Sequence, residues 1–168
     1  MSDRSAAPGD LALVESLVNT LDIESGADSL DTPEGRARFG LAEGEVERAR
    51  ELRESLRAAL LAHAGHAPHR EVTPLGELLA AAPLLVTVDA HDGSARLAPA
   101  EAERPPLLSR TAAAVAQALI AGTWTRLKAC EAADCHWAYY DRSPAGRGRW
   151  CSMQVCGARA KMRRYRAK

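Results

Sequence analysis

Four cysteines near the end of the chain constrain its fold more than any other feature of the sequence. Cys130 and Cys135 form one pair, Cys151 and Cys156 form a second, and both pairs have the spacing C-x4-C. All four cysteines of the 168 residues are used in these pairs. Zn2+ takes four thiolate ligands in a tetrahedron, and two short-range pairs supply them while closing a single longer loop. The spacing therefore predicts one structural zinc ion held by all four cysteines.

Two disulfides or an iron–sulfur cluster are the alternatives for these cysteines. Disulfides suit small secreted domains, but residues 1–8 lack a basic head followed by an apolar segment. An iron–sulfur cluster also takes four cysteines, but the spacing matches neither common ferredoxin pattern. The sequence has no run of about 18 apolar residues, so we expect no membrane span. We expect a cytoplasmic protein, in which thiols stay reduced and paired cysteines bind metal.

The formal net charge of zero hides a division of charge along the chain. Residues 126–168 carry eleven Lys and Arg against three Asp and Glu, a formal charge of +8. Residues 1–125 carry the other eleven basic and nineteen acidic residues, a formal charge of −8. Such asymmetry is typical of a protein in which one part meets phosphate and the other does not. The alternative is that the basic segment docks on the acidic one.

The N-terminal part of the sequence begins with a tail and an apolar helix. Residues 1–9 are small and polar and are expected to be disordered. Apolar residues at helical spacing predict a helix over residues 11–21, with Asp10 as its N-cap. This helix is apolar on most of its surface, so Asn19 and Thr20 should be buried. They either brace a neighbouring loop through hydrogen bonds or line a pocket for an unidentified small-molecule effector.

Further helices follow in the N-terminal part. Thr-Pro pairs at 32–33 and 73–74 predict N-caps with Pro at the first helical position. A longer helix is predicted over residues 45–63, with its Arg and Glu side chains on a solvent-exposed face. Three histidines recur from the end of this helix: His63, His66 and His69. Gly65 and Pro68 interrupt the helix that would align them, so we do not expect a metal site there.

A β-hairpin and a long helix complete this part. Residues 84–88 and 94–98 predict two strands joined by a turn. Apolar spacing from Ser109 to Leu127 predicts a helix that runs directly into Cys130. The fold class is therefore α+β: a mostly helical N-terminal domain with a small β-hairpin, followed by a C-terminal zinc finger.

The segment around the cysteines predicts a treble-clef-like finger, which is a hairpin followed by a basic helix. Residues 136–140 alternate in a strand-like way, and residues 149–150 return the chain to the second cysteine pair. Trp137 and Trp150 are expected to pack across this hairpin. Ser152 is placed to cap a helix whose first turns hold the last cysteine.

The predicted C-terminal helix combines an apolar stripe with a basic surface. The stripe, which is expected to face inward, comprises Val155, Ala158, Met162 and Tyr165. A basic surface one helix wide fits the DNA major groove, about 12 Å across, where Arg contacts phosphate or pairs with guanine. The candidate nucleic-acid contacts are Arg147, Arg149, Arg159, Lys161, Arg163, Arg164 and Arg166.

The C-terminal sequence resembles the bacterial CGNR zinc-finger family. That family has a Cys-Gly-Asn-Arg motif beginning at the last cysteine ligand, and here the motif is Cys156, Gly157, Ala158 and Arg159. The four cysteines match the family's ligands, whereas Ala158 departs from the family's Asn. Leu-Val-Asn-Thr at residues 17–20, with the mixed helix and hairpin layout, resembles the ABATE domain that accompanies this finger.

The resemblance implies an ABATE-like α+β domain over residues 10–125 and a CGNR-type finger over residues 126–168. It also implies a stress-related transcriptional regulator that binds zinc and DNA. Because a recognition helix this short needs a second copy to read an operator, we expect a homodimer.

Two other functions compete with DNA binding. In an RNA- or ribosome-associated module, His136, Tyr139 and Tyr140 would stack on bases if they were exposed, although packing within the hairpin is the alternative. In a thiol redox switch, oxidation would eject the zinc. An enzyme is not expected, because the sequence lacks a nucleophile elbow, a P-loop and a zinc-protease motif. A zinc ion with four thiolates also keeps no open position.

Overall fold

Helices and short strands alternate along the part of the chain that the structure describes, which is residues 6–100 and 103–167 of a computed structural model. The helices are α1 (Leu11–Val18), α2 (Pro33–Ala37), α3 (Val46–His63), α4 (Leu75–Leu79), α5 (Leu107–Ile120) and α6 (Ala158–Arg166). The strands are β1 (Leu84–Val88), β2 (Ala95–Pro99), β3 (Leu127–Ala129) and β4 (Ala138–Tyr140). A five-residue π-helical turn, Met153–Gly157, leads into α6. None of these helices is both long and apolar enough to cross a membrane.

The architecture is α+β, as the sequence predicts. The N-terminal part is mostly helical and carries the two-stranded sheet of β1 and β2. The C-terminal part is a four-cysteine finger with its own two-stranded sheet of β3 and β4, followed by the basic helix α6.

Helix α1 is shorter than predicted because its expected last turn contacts other segments. It ends at Val18. The side chain of Asn19 hydrogen-bonds to the backbone of β4, and Leu21 pairs with Asp28 in an isolated antiparallel bridge. Asp10 precedes the helix in a helical conformation and its side chain makes no capping hydrogen bond. The predicted N-cap is therefore wrong.

The two Thr-Pro pairs behave differently. The side-chain oxygen of Thr32 accepts a hydrogen bond from the amide of Gly35 at 3.1 Å, so Thr32 caps α2 as predicted. Thr73 does not cap α4, since its hydroxyl donates instead to Oε1 of Glu51 at 2.7 Å. Helix α4 begins after Pro74 without a side-chain cap and is only five residues long.

Helix α3 buries charged side chains that were predicted to face solvent. Arg53, Glu54 and Arg57 are 4%, 2% and 0% exposed. Nε of Arg53 and Nε of Arg57 donate to the two oxygens of Glu54, at 2.7 and 3.1 Å. Asp28 accepts a further hydrogen bond from Arg53 at 2.7 Å. A charge can be buried when it is paired and hydrogen-bonded. Asp28, one of the partners, lies outside α3.

The histidines after α3 make structural contacts. Nδ1 of His63 donates to the carbonyl oxygen of Leu127 at 2.7 Å, and Nε2 of His69 lies 2.9 Å from a carboxylate oxygen of Glu54. Burial lowers the pKa of both imidazoles. Within the described ranges, the only group of three or more potential ligands close enough to hold a metal ion is the set of four cysteines.

The predicted hairpin is confirmed, but the predicted long helix ends early. Strands β1 and β2 pair antiparallel, with Val86 opposite Leu97. Nε2 in the side chain of Gln117 on α5 donates to the carbonyl of Leu97 at 3.1 Å. Helix α5 ends at Ile120, and Gly122 adopts a φ of 67°, which is typical of a helix C-terminus. The chain therefore reaches the first cysteine through β3, and the predicted helical connection is wrong.

One apolar core joins the N-terminal helices to the finger. Its members include Leu11, Val14, Leu17 and Val18 of α1, Leu52, Leu56 and Leu60 of α3, and Ala114 and Ala118 of α5. Leu127 and Ala129 of β3 and Ala138 of β4 belong to the same core. The hairpin of the finger is thus packed against the N-terminal helices by burial of apolar surface.

The start of the described chain is packed as well. The prediction of a disordered tail over residues 1–9 falls partly on residues 1–5, which lie outside the described residues. Ala7 is buried, and its amide donates to Glu15 at 2.6 Å. The guanidinium of Arg142 donates to the carbonyl of Ala6 at 2.7 Å. The expectation of disorder is therefore wrong at these positions.

Candidate metal centre and basic helix

The first cysteine pair lies in the loop between β3 and β4. Cys130 follows β3 directly, and its amide donates to the carbonyl of Trp137 at 2.9 Å. His136 closes the loop with a φ of 48°, and its Nδ1 donates to the carbonyl of Cys130 at 2.9 Å. Strand β4 pairs with β3, with Lys128 opposite Tyr139. The expected pairing of this strand with residues 149–150 is therefore wrong, because the hairpin encloses the first cysteine pair.

The second cysteine pair lies at the start of the C-terminal helical segment. The side-chain oxygen of Ser152 accepts a hydrogen bond from the amide of Val155 at 3.3 Å, so Ser152 is the predicted N-cap. Cys156 lies in the π-helical turn. A Cβ atom at Gly157 would lie 3.0 Å from the sulfur of Met153, so the turn requires glycine or a shift of that side chain.

The four sulfur atoms form one compact group. All four ligand atoms lie within 4.8 Å of one another. The Sγ atoms of Cys135 and Cys151 are 3.6 Å apart, as are those of Cys151 and Cys156. A tetrahedron with Zn–S bonds of about 2.3 Å has edges of about 3.8 Å, whereas a disulfide is about 2.05 Å long. The geometry fits one four-coordinate zinc ion better than two disulfides.

The electrostatics of the four thiols also fit a cation. Hydrogen bonds from Cys135 and Cys151 lower the pKa of Cys130. The same contact with Cys130 raises the pKa of Cys135, and contact with Cys130 raises that of Cys151 to about 12. The thiolate of Cys130 therefore disfavours ionisation of the neighbouring thiols of Cys135 and Cys151. Zn2+ removes this conflict, since a coordinating thiol is deprotonated by the ion.

An apolar cluster covers the ligands. Tyr139 and Ala132 are buried beside Cys130 and Cys156, and Trp150 packs against them. Trp137 is 37% exposed and is not part of this cluster, so the expected packing of the two tryptophans across a hairpin is not found. Burial of Tyr139 removes it as a platform for stacking on bases.

Asn19, directly after α1, and Arg57, on α3, hydrogen-bond to the backbone of the finger. The amide nitrogen of Asn19 donates to the carbonyl of Ala138 at 3.0 Å, and its oxygen accepts from the amide of Ala138 at 2.7 Å. Arg57 donates to the carbonyl of His136 at 2.8 Å. Thr20 donates to Leu17 and accepts from Arg53. The polar atoms of Asn19 and Thr20 make hydrogen bonds inside the protein, as the bracing interpretation expects. The pocket interpretation stays a prediction.

A buried ion pair, missed from the sequence, supports the loop after β4. Asp141 is buried and accepts hydrogen bonds from Lys128 at 3.0 Å, from the amide of Gly148 at 2.7 Å and from Ser143. Burial alone would raise the pKa of Asp141, but hydrogen bonds from Ser143, Lys128 and Gly148 hold it well below its usual value. The alternation of strand residues gives no signal for such a pair, because its partners come from a loop.

Helix α6 is only partly covered by the rest of the described chain. None of its described residues is buried. Met162 and Tyr165, together with Val155 in the preceding turn, are exposed. Ala158, where the CGNR motif has Asn, is also exposed. The predicted inward-facing stripe is therefore wrong, since no other part of the described chain covers this side of the helix.

The candidate nucleic-acid contacts fall into two groups. Arg149 pairs with Glu131, Arg159 pairs with Glu24 at 3.0 Å, and Arg163 lies 3.8 Å from Asp134. The others are exposed and form no ion pair within residues 6–100 and 103–167: Arg147, Lys161, Arg164 and Arg166. Three of these four basic side chains, those of Lys161, Arg164 and Arg166, lie on α6.

The fold and the four-cysteine centre define a zinc-finger protein with an attached α+β domain. The sequence model of the CGNR zinc finger matches residues 126–168. The ABATE model, described as "Putative stress-induced transcription regulator", matches residues 11–123. This match covers more than half of the chain, so the protein belongs to the ABATE family, as its sequence resemblance predicts. No curated protein matches the chain.

Proposed function

We propose that this protein is a transcriptional regulator whose zinc finger binds duplex DNA through α6. The observation that carries the proposal is the position of α6, which has no buried residue while its start is held at Cys156. An α-helix with its side chains is about 10–12 Å in diameter, which suits entry into a major groove about 12 Å wide. The stress-induced role in the family's description is carried over as part of this proposal.

The distribution of charge supports contact with phosphate. Lys161, Arg164 and Arg166 are exposed on α6 and free of ion pairs in the described chain. Unpaired cations release condensed counterions when they meet DNA, and this release supplies most of the sequence-independent affinity. The alternative, in which the basic segment docks on the acidic domain, accounts for Arg159, through Glu24, and for Arg142, which lies near Glu15, but not for these three cations of α6.

The low exposure of Tyr139 and Tyr140, two of the three predicted stacking residues, favours duplex DNA over single-stranded RNA. Tyr139 is 2% exposed and Tyr140 is half-buried beneath the guanidinium of Arg142. Single-stranded RNA is read chiefly by stacking bases on exposed aromatic rings. The redox switch stays a prediction, and Cys135 and Cys151, which are half-exposed, are the thiolates that an oxidant would reach.

We propose no catalytic activity, because a centre closed by four thiolates leaves no position for a substrate or water. Four reduced cysteines used as ligands suit the cytoplasm, and we propose that location.

A homodimer is part of the proposal. The sheet of β1 and β2 has no further strand beside it in the described chain, and Leu85, Val86 and Val88 of β1 are exposed. Two copies of β1 pairing across a two-fold axis would join the free backbone groups of this edge, extend the apolar surface into one four-stranded sheet and present two α6 helices. Light scattering should give twice the 18.0 kDa mass of the chain, and Val86→Lys should give the monomer. A wild-type monomer at high concentration would exclude the dimer.

Selection of bound sequences from a random duplex library tests the proposed function most broadly. The zinc-loaded chain should enrich a sequence motif, and a chelator should abolish the enrichment because α6 loses its fixed start. Competition with single-stranded RNA of the same length should displace little of the bound duplex. Enrichment that survives chelation, or RNA that displaces the duplex at equal concentration, would reject the proposal.

A further inference from the structure

A cleft in the N-terminal part lies between α3, α4 and the start of α5, and none of its lining residues belongs to the finger. Its volume is about 410 Å³, which is within the range of small-molecule sites. Its apolar surface comes chiefly from Leu41, Leu52, Leu78 and Leu107, and its charged residues are Glu45, Arg48, Glu51 and Glu77.

The cleft exists because α4 packs loosely. This five-residue helix has no buried residue, and Leu78 rests half-exposed against the apolar core. Leu41 and Leu108, on the opposite walls, are half-exposed in the same way. Apolar side chains that remain partly in contact with water gain free energy when a ligand covers them. A ligand with an apolar body therefore fits this surface.

The charged residues of the cleft select the charge of the ligand. Glu51 accepts a hydrogen bond from Thr73, and Glu45 accepts one from a backbone amide. Glu77 and Arg48 form no ion pair in the described ranges and are exposed. Three carboxylates against one guanidinium leave a formal charge of −2 beside an apolar surface. A net negative charge beside low-dielectric walls attracts a cation.

We propose that this cleft binds a lipophilic organic cation, with an apolar body the size of a phenylalkyl group and one amine or quaternary ammonium. The ammonium lies near Glu77 at the rim, and the apolar body covers Leu78. Helix α3 contributes Leu52 to the cleft and Arg57 to the backbone of the metal centre. One rigid element thus joins the ligand site to the finger.

Three compounds with one skeleton test the proposal: 4-phenylbutylammonium, 4-phenylbutanol and 4-phenylbutanoate. Calorimetric titration of the zinc-loaded full chain should give the tightest binding for the ammonium, weaker binding for the alcohol and none for the carboxylate. Binding of the carboxylate as tight as that of the ammonium would overturn the proposed charge selection. The heat of apolar burial vanishes near one temperature and not at others, so each titration is run at two temperatures. Absence of heat for all three compounds at millimolar concentration at both temperatures would overturn the site itself.

Two variants and a control locate the binding. Ala81 is exposed and lines the cleft, so Ala81→Trp should fill it and abolish binding of the ammonium. Glu77→Gln should weaken the ammonium about two- to fivefold and leave the alcohol unchanged. Glu34→Gln, an exposed carboxylate outside the cleft, should change neither. Unchanged binding in both Ala81→Trp and Glu77→Gln would reject this location.

The unfolding midpoint of each variant shows whether it folds. If Ala81→Trp does not fold, Glu77→Gln alone decides the outcome. These titrations contain no DNA, so their failure would leave the proposed DNA binding untouched.

Discussion

At the scale of single residues, Arg57 connects the N-terminal helices to the metal centre. Its side chain is fully buried and donates to the carbonyls of Val18 and His136, each at 2.8 Å. Glu54 balances its charge at 3.1 Å. Burial alone would raise the pKa of Glu54, but the charges of Arg57 and Arg53 hold it below its usual value. Because His136 follows the ligand Cys135, this contact fixes the backbone of the cysteine loop.

Replacement of Arg57 should therefore destabilise the protein strongly. Arg57→Ala removes the donor to the carbonyls of Val18 and His136 and a partner of a buried carboxylate, which costs about 3 kcal/mol in the free energy of unfolding. Urea denaturation of the zinc-loaded protein measures this change. Arg48→Ala, an exposed arginine on the same helix, should change the free energy by less than about 0.5 kcal/mol. Equal losses in the two variants would contradict this role for Arg57.

The sequence predicts the metal ligands but not the buried charges, for a physical reason. The cysteine pairs are local, so their spacing alone defines the centre. The partners of the buried arginines are distant, since Arg53 meets Asp28 from 25 residues away and Arg57 meets His136 from 79 residues away. Helical periodicity assigns a charged residue to the solvent side unless its partners are known. The i,i+3 spacing supplies Glu54 as a partner of Arg57, but no local pattern supplies the distant ones.

At the scale of elements, the loop after α1 contacts the basic helix. Glu24 accepts a hydrogen bond from Arg159 at 3.0 Å, and both side chains are exposed. Arg159 belongs to the CGNR motif and is a candidate phosphate contact. An exposed pair of this kind contributes at most about 1 kcal/mol. In the proposed complex, DNA phosphate and Glu24 compete for the same guanidinium.

Release of Arg159 should then strengthen the proposed DNA binding. Glu24→Gln should tighten the affinity for duplex DNA about two- to fivefold at low salt, and the gain should shrink as salt screens the pair. Fluorescence anisotropy with a labelled duplex measures it. Glu43→Gln, another exposed carboxylate of the N-terminal part, serves as the control. If Glu24→Gln and Glu43→Gln change the affinity for duplex DNA equally, DNA phosphate and Glu24 do not compete for Arg159.

Boundaries of elements are predicted less well than their existence. The hairpin is found with β1 at the predicted residues and β2 shifted by one residue, from 94–98 to Ala95–Pro99. Its two apolar segments are separated by a polar turn, which makes the hairpin itself easy to predict. Helix α5 ends at Ile120 and not at Leu127 as predicted. The prediction is too long because the apolar spacing continues past Gly122 into β3, a strand that is buried in the core. The spacing of apolar residues indicates which residues are buried, but over a short segment it does not distinguish a buried strand from a further turn of helix.

At the scale of the whole molecule, the finger and the N-terminal helices share one core. Leu127 and Ala138 pack with residues of α1, α3 and α5, and Asn19 and Arg57 bind the backbone on either side of Trp137. The metal centre is therefore expected to stabilise more than the finger itself. Structural zinc contributes about 10–16 kcal/mol of apparent binding free energy, compared with a total stability of about 5–15 kcal/mol for a typical domain.

Removal of zinc should accordingly loosen the entire chain. Chelation, or Cys135→Ser, should lower the unfolding temperature in a single transition and speed amide hydrogen exchange in α1 and α3 as well as in the finger. Ser152→Ala, which removes only an N-cap, should cost about 1 kcal/mol. If exchange in α1 and α3 stays the same after chelation while the finger unfolds, the finger is an independent module and the shared core does not couple them.

The central claim, that the zinc-held helix α6 binds duplex DNA, is tested most directly by salt titration of two matched triple variants. The first replaces Lys161, Arg164 and Arg166 by Ala, and the second replaces the exposed Arg38, Arg96 and Arg104 of the N-terminal part. Each lost phosphate contact reduces the slope of log affinity against log salt by about 0.9.

We predict that the first variant loses about 2–3 from the slope and at least tenfold in affinity at low salt, whereas the second binds as the wild type does. Equal binding by the two variants would contradict the claim.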